Sequence, residues 1–586
     1  MPFLPLTKKE ISELGWDVVD IVLVTPDAYV DHPSFAMAVI GRTLEAAGFK
    51  VAILSQPDYR KPEEFAKFGK PRICFAVSCG NMDSMINKYT HNRKPRSEDD
   101  FSPGGKALNR PDRAIITYCN RIRAAFPDAA IIAGGIEATM RRLAHYDYWS
   151  DTVKKPLILD SKADLLVYGM GEKTITEIAL RIKSGEKASS IRDIRGTVYA
   201  LGSSSSAPEN SIALPSFEET SSDKDKFLLM TRMIHKNLNP FSSSVLYQKA
   251  DTRLSVVNPP PLPLICKEMD AIYDLPYLRR PHPSYREKIP AFEMIKNSIT
   301  IHRGCFGGCS FCSLGHHQGK FIQSRSPESI KKEAEKMAQE SSGATVISDL
   351  GAPSANMYSM NGKDIKICEK CERESCLFPS ICLNLDTSHL NLKRLLSDIE
   401  KIKGIKKVLI ASGVRQDLAL LDEEYISILA SKHTGGHLKI APEHCDREIL
   451  SAMKKPDISV FLDFEKKFIE LSKKAGKEQY LVLYFISAYP GVDIKKAVET
   501  AVFMKKHGLK PLQINDFLPA PGEYSTAVYY TEKDPLTGKK VYVAKKESER
   551  KMHRALMQYF KKENFPLILK ALSIAKRRDL IKFFLK

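Results

Sequence analysis

The chain has 586 residues, a length that exceeds most single domains and excludes a protein built on one compact core. Hydrophobic residues make up 43% of the sequence and aromatic residues 9%, which excludes a mostly disordered chain. Lysine and arginine outnumber aspartate and glutamate by 89 to 70, a formal net charge of +19. No run of about 18 uncharged apolar residues is present, and charged residues from Lys8 onwards interrupt any secretory signal. We therefore expect a cytoplasmic protein without a membrane segment.

Short aliphatic and β-branched runs alternate with amphipathic patterns through the first third of the chain. A helix is predicted at residues 34–47, and strands are predicted at residues 20–24, 51–54, 73–77, 130–135 and 164–169. Strands that alternate with helices predict a parallel sheet covered by helices on both faces. We therefore predict an α/β fold that begins with a Rossmann-like domain over residues 1–200.

The composition changes after this predicted domain. Residues 203–225 are rich in Ser, Pro, Glu and Asp, which is typical of a linker. Prolines at positions 259–261 and 263 then favour an extended segment that lies on a neighbouring domain. We predict a linker and extended strap over residues 201–294.

The alternation of strands and helices resumes in residues 295–530. Six strands are predicted, at residues 298–302, 345–350, 408–412, 437–441, 481–487 and 513–517. Six parallel strands with intervening helices favour a partial (β/α)6 barrel, whose chemistry would lie on loops at the carboxyl ends of the strands. The first of these loops carries candidate metal ligands.

That loop contains Cys305, Cys309 and Cys312 in a C-x3-C-x2-C pattern. Seven of the twelve cysteines lie between Cys305 and Cys382, and such clustering in a chain without an export signal favours metal ligation over disulfides. A structural zinc site needs four closed ligands, whereas a 4Fe-4S cube held by three thiolates leaves one iron open. Three cysteines without an obvious fourth favour the open cube.

The spacing resembles that of radical S-adenosylmethionine (SAM) enzymes, with Phe311 as the apolar residue before the last cysteine. Segments at residues 29–35, 80–85, 134–138, 143–149 and 303–318 resemble the YgiQ-type radical SAM proteins in particular. The resemblance implies a 4Fe-4S cluster, SAM as co-substrate, and an electron donor such as a reductase, flavodoxin or ferredoxin. It also implies that the amino-terminal domain is cobalamin-binding-like. It names no substrate.

The resemblance also implies which loops contact SAM. The loop after the second barrel strand would bind the methionyl amine, and here it reads Gly351, Ala352 and Pro353 after Asp349, unlike the common Gly-Gly-Glu form. Polar groups that would reach the ribose or the carboxylate follow the third and fourth strands: Ser412, Arg415 and Glu443. We predict that these six residues, together with Phe311, line the cofactor site.

A second group of cysteines lies in a predicted insertion over residues 361–386. Cys368, Cys371, Cys376 and Cys382 follow a C-x2-C-x4-C-x5-C spacing, and four thiolates can close around zinc or a second iron–sulfur cluster. Such a filled site would be structural or relay electrons. Cys445 is the one candidate for a catalytic radical relay, because it follows Glu443 on a loop predicted to face the cofactor.

Cobalamin is not expected in the amino-terminal domain. Radical methyltransferases that bind it through a histidine use an Asp-x-His-x-x-Gly loop, whereas Asp31 and His32 are adjacent here. We interpret His32 as a structural or substrate-side residue.

The carboxyl-terminal extension, residues 531–586, is strongly basic. Residues 539–586 contain 15 basic and 4 acidic residues, a balance that favours contact with RNA or, alternatively, a solvated helical face. The sequence thus leaves two classes of function open. One is a radical enzyme, including an RNA or ribosome methylthiotransferase or methyltransferase, and the other is a metal-stapled nucleic-acid-binding protein without catalysis.

Overall fold

The computed structural model describes residues 2–107, 109–340 and 343–585. Its strands are β1 (Ile21–Thr25), β2 (Val30–Asp31), β3 (Val51–Ser55), β4 (Cys74–Ser78), β5 (Ile131–Gly134), β6 (His145–Asp147), β7 (Thr152–Lys154), β8 (Leu165–Val167), β9 (Thr197–Leu201), β10 (Ile212–Ala213), β11 (Leu246–Ala250), β12 (Arg253–Val257), β13 (Arg280–Pro281), β14 (Ser298–Thr300), β15 (His302–Arg303), β16 (Gln323–Ser324), β17 (Thr345–Ile347), β18 (Asp349–Gly351), β19 (Ile405–Val408), β20 (His437–Glu443), β21 (Tyr480–Ser487) and β22 (Ile514–Asp516).

Its α-helices are α1 (Lys8–Glu13), α2 (Ala36–Ala46), α3 (Ser84–Lys88), α4 (Ala114–Ala125), α5 (Ile136–Met140), α6 (Leu157–Ser161), α7 (Glu172–Lys183), α8 (Phe217–Ser222), α9 (Lys224–Lys236), α10 (Cys266–Tyr273), α11 (Pro290–Ile295), α12 (Leu314–His317), α13 (Pro327–Glu340), α14 (Ile365–Glu369), α15 (Leu390–Glu400), α16 (Gln416–Ala419), α17 (Glu423–Ile428), α18 (Arg447–Ala452), α19 (Ile458–Lys474), α20 (Ile494–Lys506), α21 (Tyr524–Thr531), α22 (Glu547–Met557), α23 (Phe565–Ile574) and α24 (Ile581–Leu585). The chain divides into two compact units, with the main boundary between residues 300 and 301.

The first unit is built on a nine-stranded sheet in the order β10-β11-β12-β9-β8-β5-β4-β1-β3. Strands β3, β1, β4, β5 and β8 are parallel to their neighbours in this half of the sheet. Their residues are almost all buried, as expected for a parallel sheet covered on both faces. The predicted α/β class and the five predicted strands of this domain are confirmed.

The prediction of a linker over residues 201–294 is wrong for its central part. Strands β10, β11 and β12 lie in this range and extend the sheet, with β11 and β12 forming an antiparallel hairpin next to β9. Asp251, at the hairpin turn, adopts a left-handed backbone (φ +53°). Burial alternates along β11 but not along β12, and both are short, so neither gives a clear period beside the surrounding Ser and Pro residues.

The second unit contains short parallel sheets that are followed by helices. Strands β17 and β19 form a parallel pair, and β20, β21 and β22 form a parallel three-stranded sheet. The third predicted strand is displaced, because the sequence indicated residues 408–412 and the structure has β19 end at Val408. Backbone pairing continues through Leu409, whose N–H donates to Ile347 and whose carbonyl oxygen accepts from Leu350. The amides of Ala411 and Ser412 then donate to the Asp349 carboxylate.

The basic carboxyl-terminal segment is folded. Helix α22 packs against α20, and α23 packs against α22. Met552, Leu556, Ile568 and Leu572 are buried in this arrangement. Across the described part of the chain, no helix combines the length and the apolar character that a membrane crossing requires.

Candidate cluster and cofactor site

The three cysteines of the C-x3-C-x2-C pattern lie in an irregular loop that directly follows β15. Each of them is partly buried. The backbone N–H of Cys312 donates to the carbonyl oxygen of Cys309 at 3.1 Å, which closes a turn around the second and third cysteines. Burial, and then the neighbouring Cys309 thiol, raise the pKa of Cys305 and Cys312. Metal binding must therefore displace protons from these thiols.

The described residues hold no group of three or more His, Cys, Asp or Glu side chains that is already arranged to bind one metal ion. This observation bears on single-ion sites. In a 4Fe-4S cube each thiolate binds a different iron, so cluster ligands need not converge on one point. The donor set of three soft thiolates on one glycine-containing loop fits such a cube.

A short segment from the cysteine-rich insertion covers this loop. We call residues 374–376 the capping segment. The hydroxyl of Ser375 donates to the carbonyl oxygen of Gly307 at 2.7 Å. The backbone N–H of Cys376 donates to the carbonyl oxygen of Phe306 at 3.0 Å. The cysteine-rich insertion is thus bonded directly to the ligand loop.

Glu374, the first residue of the capping segment, makes the closest approach. A Cβ atom added to Gly308 would lie only 2.4 Å from the Glu374 carbonyl oxygen, and Gly308 has a left-handed backbone (φ +60°). The Glu374 carboxylate accepts a 2.8 Å hydrogen bond from the hydroxyl of Tyr524 and pairs with Lys454. Glycine is therefore required at position 308 for two reasons, its φ angle and the adjacent backbone.

Ser310 and Phe311 connect the ligand loop to the end of β21. The Ser310 hydroxyl donates to the Ala452 carbonyl oxygen at 2.7 Å and lies 2.8 Å from the hydroxyl of Tyr489. The Phe311 ring packs edge-on against the Tyr489 ring, with 6.3 Å between their centroids. Phe311, predicted from the sequence to line the cofactor site, thus contacts an aromatic side chain that follows another strand, β21.

The second and third predicted cofactor loops contact each other. The Asp349 carboxylate accepts hydrogen bonds from the Ala411 and Ser412 amides at 2.8 and 3.0 Å, and the Ser412 hydroxyl accepts one from the Ala352 amide at 3.3 Å. A Cβ atom at Gly351 would lie 2.3 Å from both the Asp349 carboxylate and the Ser412 hydroxyl. Burial raises the pKa of Asp349. Residues 349–353 and Ser412 are therefore joined in one hydrogen-bonded network, which we call the loop network.

Arg415 points toward the cysteine loop. Its Nε and Nη2 donate to the Asp417 carboxylate at 3.0 and 2.5 Å, and its Nη1 donates to the sulfur of Cys309 at 3.8 Å. Burial opposes the charge of Arg415, but the ion pair with Asp417 outweighs it and holds the pKa of Arg415 above its ordinary value. The guanidinium is therefore a fixed positive charge beside a candidate ligand.

Glu443 and Lys455 form a second buried pair near the loop. Lys455 Nζ lies 3.8 Å from Glu443 Oε1. Burial raises the pKa of Glu443, and the charges of Lys455 and Arg415 act in the opposite direction. Glu443 has a left-handed backbone (φ +71°), which is uncommon for a residue other than glycine.

Three of the four cysteines of the insertion lie in the second unit. Cys376 and Cys382 are joined by a backbone hydrogen bond of 2.8 Å and pack, with Cys305, against one small apolar cluster. The sulfur of Cys368 accepts a hydrogen bond from Asn384 at 3.3 Å. The carbonyl oxygen of Cys371 accepts from Asn239 in the first unit at 3.1 Å.

Cys445 is buried away from solvent. Burial, and then the charge of Asp446, raise the pKa of its thiol. The charged neighbour that acts on this thiol is Asp446.

A buried polar network lies at the carboxyl ends of β1 and β4 in the first unit. In open α/β sheets ligands bind at the carboxyl ends of the strands where the strand order reverses, which here is between β1 and β4. Asp27 fills this position: its carboxylate accepts hydrogen bonds from the backbone and side chain of Asn81 at 2.7 and 2.8 Å and from Arg110 at 2.7 Å. A Cβ atom at Gly80 would lie 2.3 Å from the same carboxylate. This position is thus occupied by a hydrogen-bonded network that includes the buried ion pair of Arg110 with Asp27.

His32 is a structural residue in this unit. Its side chain is buried, its Nδ1 accepts a 3.1 Å hydrogen bond from the Ser34 amide, and its ring packs edge-on against Phe35 and Phe292. Burial lowers the pKa of His32, so the ring is neutral near pH 7.

Sequence reasoning missed several residues around the ligand loop. Asp417, Lys455, Glu374 and Tyr489 each contact a predicted site residue or the loop itself. Only Asp417 had a usable signal, because it lies two residues after Arg415. Glu374 lies 66 residues from Gly308 and Tyr489 lies 179 residues from Ser310, so spacing could not indicate these two contacts. Lys455 follows Glu443 by 12 residues across a helix, and no pattern in the sequence indicated the pair.

Known protein families match most of the chain. Residues 3–298 match a family described as Radical SAM N-terminal, residues 299–504 match the Radical SAM superfamily, and residues 512–584 match a domain of unknown function termed DUF3362. The chain is 47% identical to a UPF0313 protein of Methanocella arvoryzae, with 98% of this chain and 96% of the relative covered. It is 44% identical to the UPF0313 protein YgiQ of Escherichia coli K12, with 99% and 87% covered.

Solved structures with a similar course of the chain are more distant. The radical SAM methyltransferase TsrM from Kitasatospora setae, with tryptophan and a SAM analogue bound, is 14% identical, with a TM-score of 0.47 over 87% of this chain and 75% of that chain. The cobalamin-dependent SAM radical enzyme OxsB is 11% identical, with a TM-score of 0.45 over 92% of this chain and 60% of that chain.

Proposed function

Because the chain belongs to the UPF0313 family of YgiQ-type radical SAM proteins, we propose that it cleaves SAM reductively to start radical chemistry on a substrate. The observation that carries this proposal is the ligand loop, in which Cys305, Cys309 and Cys312 occupy a segment held by the capping segment and by Arg415. When bound, a 4Fe-4S cluster with one open iron supplies the electron that breaks the C5′–S bond of SAM. The chain's own residues hold the cluster, exclude water and orient SAM.

We propose specific roles for the groups around the loop. Phe311 and the capping segment shield the cluster from solvent on the sides where they pack. The loop network of residues 349–353 and Ser412 would bind the methionyl group of SAM. Glu443 would contact the ribose or the amine of SAM. These loops lie at the carboxyl ends of parallel strands of a proposed partial (β/α)6 barrel, where such sites are found.

A direct assay tests this function. The protein is purified without oxygen and analysed for iron and sulfide, and dithionite is then added with SAM. We expect a brown protein that releases 5′-deoxyadenosine, and a flavodoxin- or ferredoxin-type donor should replace dithionite. A colourless protein that contains zinc and leaves SAM intact would instead support the metal-stapled binding protein.

The four-cysteine insertion is proposed to hold a second metal. Substitution of Cys371 and Cys376 by alanine should remove this metal while the spectrum of the first cluster remains, because neither residue belongs to the C-x3-C-x2-C pattern. Metal analysis with electron paramagnetic resonance checks the result. A metal content equal to that of the unmodified protein would show that the insertion binds no metal.

The basic carboxyl-terminal segment is proposed to contact RNA. Lys576 and Arg578 are exposed at the end of α23, and Arg577 pairs with Asp579 at 3.0 Å. Changing all three basic residues to alanine should weaken RNA binding and reduce the salt dependence, by a log–log slope of about 0.7–0.9 for each lost phosphate contact. Filter binding at several salt concentrations measures both quantities.

The matched control changes the same number of charges on α19, at Lys466, Lys473 and Lys474, which are also exposed. Equal RNA retention by the two triple variants would identify the carboxyl-terminal residues as a solvated surface.

A further inference from the structure

Arg415 is the buried cation in direct contact with a candidate cluster ligand. Its Nη1 lies 3.8 Å from the Cys309 sulfur and would lie 3.4 Å from a Cβ atom at Gly307, so the guanidinium rests on the ligand loop. Its other edge is bound to Asp417 at 3.0 and 2.5 Å. The guanidinium therefore cannot turn away from the loop without breaking two charge-assisted hydrogen bonds.

The backbone of the same residue is also held in place. The Arg415 N–H donates to the side-chain oxygen of Asn356 at 2.8 Å, and the Asn356 side-chain amide donates to the Arg415 carbonyl oxygen at 3.0 Å. Asn356 is itself fully buried. Both the backbone and the guanidinium of Arg415 are thus oriented before any cluster or SAM binds.

The hydrogen bonds of the Arg415 guanidinium determine where its charge is directed. Two of its three guanidinium nitrogens are engaged by Asp417 and the third donates to Cys309. The geometry therefore directs the charge of Arg415 at the cluster ligand.

Charge beside an iron–sulfur cluster determines how easily the cluster is reduced. Hydrogen bonds to the sulfurs, net charge and solvent exposure are the quantities through which a protein adjusts the reduction potential. A fixed cation favours the reduced state, because that state carries one more negative charge. Since Arg415 and Asp417 are both buried, water screens their charges little.

We infer that Arg415, oriented by Asp417, is a positioning residue that raises the reduction potential of the SAM-cleaving cluster through its hydrogen bond to the Cys309 thiolate. The inference rests on the proposed function, because it requires a cluster on Cys309. It assigns opposite effects to the two partners. Loss of the arginine charge makes reduction less favourable, and loss of the aspartate charge makes it more favourable.

The experiment is a redox titration of the anaerobically loaded protein, followed by electron paramagnetic resonance. For Arg415→Gln we expect at least a tenfold smaller equilibrium constant for reduction, which corresponds to a midpoint about 59 mV more negative for one electron. Arg415→Lys keeps the positive charge but loses the planar pair of N–H donors, so it should shift the midpoint less than Arg415→Gln does. Asp417→Asn should shift it toward more positive values.

The matched control is Arg181→Gln. Arg181 also forms a two-point pair with a carboxylate, that of Glu186 at 2.7 and 2.8 Å, but it lies in the first unit, which contains none of the three ligand cysteines. Its midpoint should equal that of the unmodified protein.

An unchanged midpoint in Arg415→Gln, or a shift of Asp417→Asn in the same direction, would overturn the inference. If Arg415→Gln holds no cluster, Asp417→Asn decides alone by the sign of its shift. Absence of iron from the unmodified protein would overturn the proposed function instead, so the two failures are distinguished.

Discussion

Substitution of Cys305, Cys309 or Cys312 by alanine is expected to abolish the release of 5′-deoxyadenosine and to remove the iron of one cluster. Each thiolate holds a different iron of the cube, so loss of any one leaves an iron without its protein ligand. The effect should be equally severe at all three positions, because each thiolate is the protein ligand of one iron. Iron analysis and detection of 5′-deoxyadenosine by chromatography measure the outcome.

The matched control for these variants is Cys266→Ala. Cys266 is exposed on α10 in the first unit, so its substitution changes the same chemical group without a packing effect. It should keep full iron content and SAM cleavage. Retained cleavage in any one of the three ligand variants would contradict the assignment of the cluster to this loop.

Substitution of Gly308 by alanine is the second change for which we expect a large effect. The left-handed backbone at this position alone disfavours alanine by about 1–2 kcal/mol. The new Cβ would also lie 2.4 Å from the Glu374 carbonyl oxygen, a backbone atom that no side-chain rotation can move. We expect the capping segment to separate from the loop, with a lower melting temperature and loss of most of the cluster iron.

The neighbouring glycine provides the control. An alanine at Gly307 would place its Cβ 3.4 Å from the Arg415 guanidinium and from the Cys305 sulfur, which is ordinary contact, and Gly307 does not have a left-handed backbone. Gly307→Ala should therefore retain the cluster and a melting temperature close to that of the unmodified protein. Equal iron content in the two alanine variants would show that the capping segment does not support the ligand loop.

Features that depend on residues close together in the chain could be predicted from the sequence. The strands β1, β3, β4, β5 and β8 were predicted because each is a continuous apolar run, which a parallel sheet buried on both faces requires. The candidate ligands Cys305, Cys309 and Cys312 were found because one short loop must supply all three thiolates, so their spacing is written along the chain. Family membership followed from the same local motifs.

Contacts between residues that are far apart in the sequence are visible only in the fold. Arg415 lies 106 residues from Cys309, which it contacts. Asp27 lies 83 residues from Arg110, with which it forms an ion pair. No periodic pattern in the sequence indicates either contact. The same is true of β11 and β12, whose place in the sheet depends on the pairing of β12 with β9 and of β11 with β12. Packing and burial determine which side chains pair, because a charge that the fold buries is stable only beside an opposite charge.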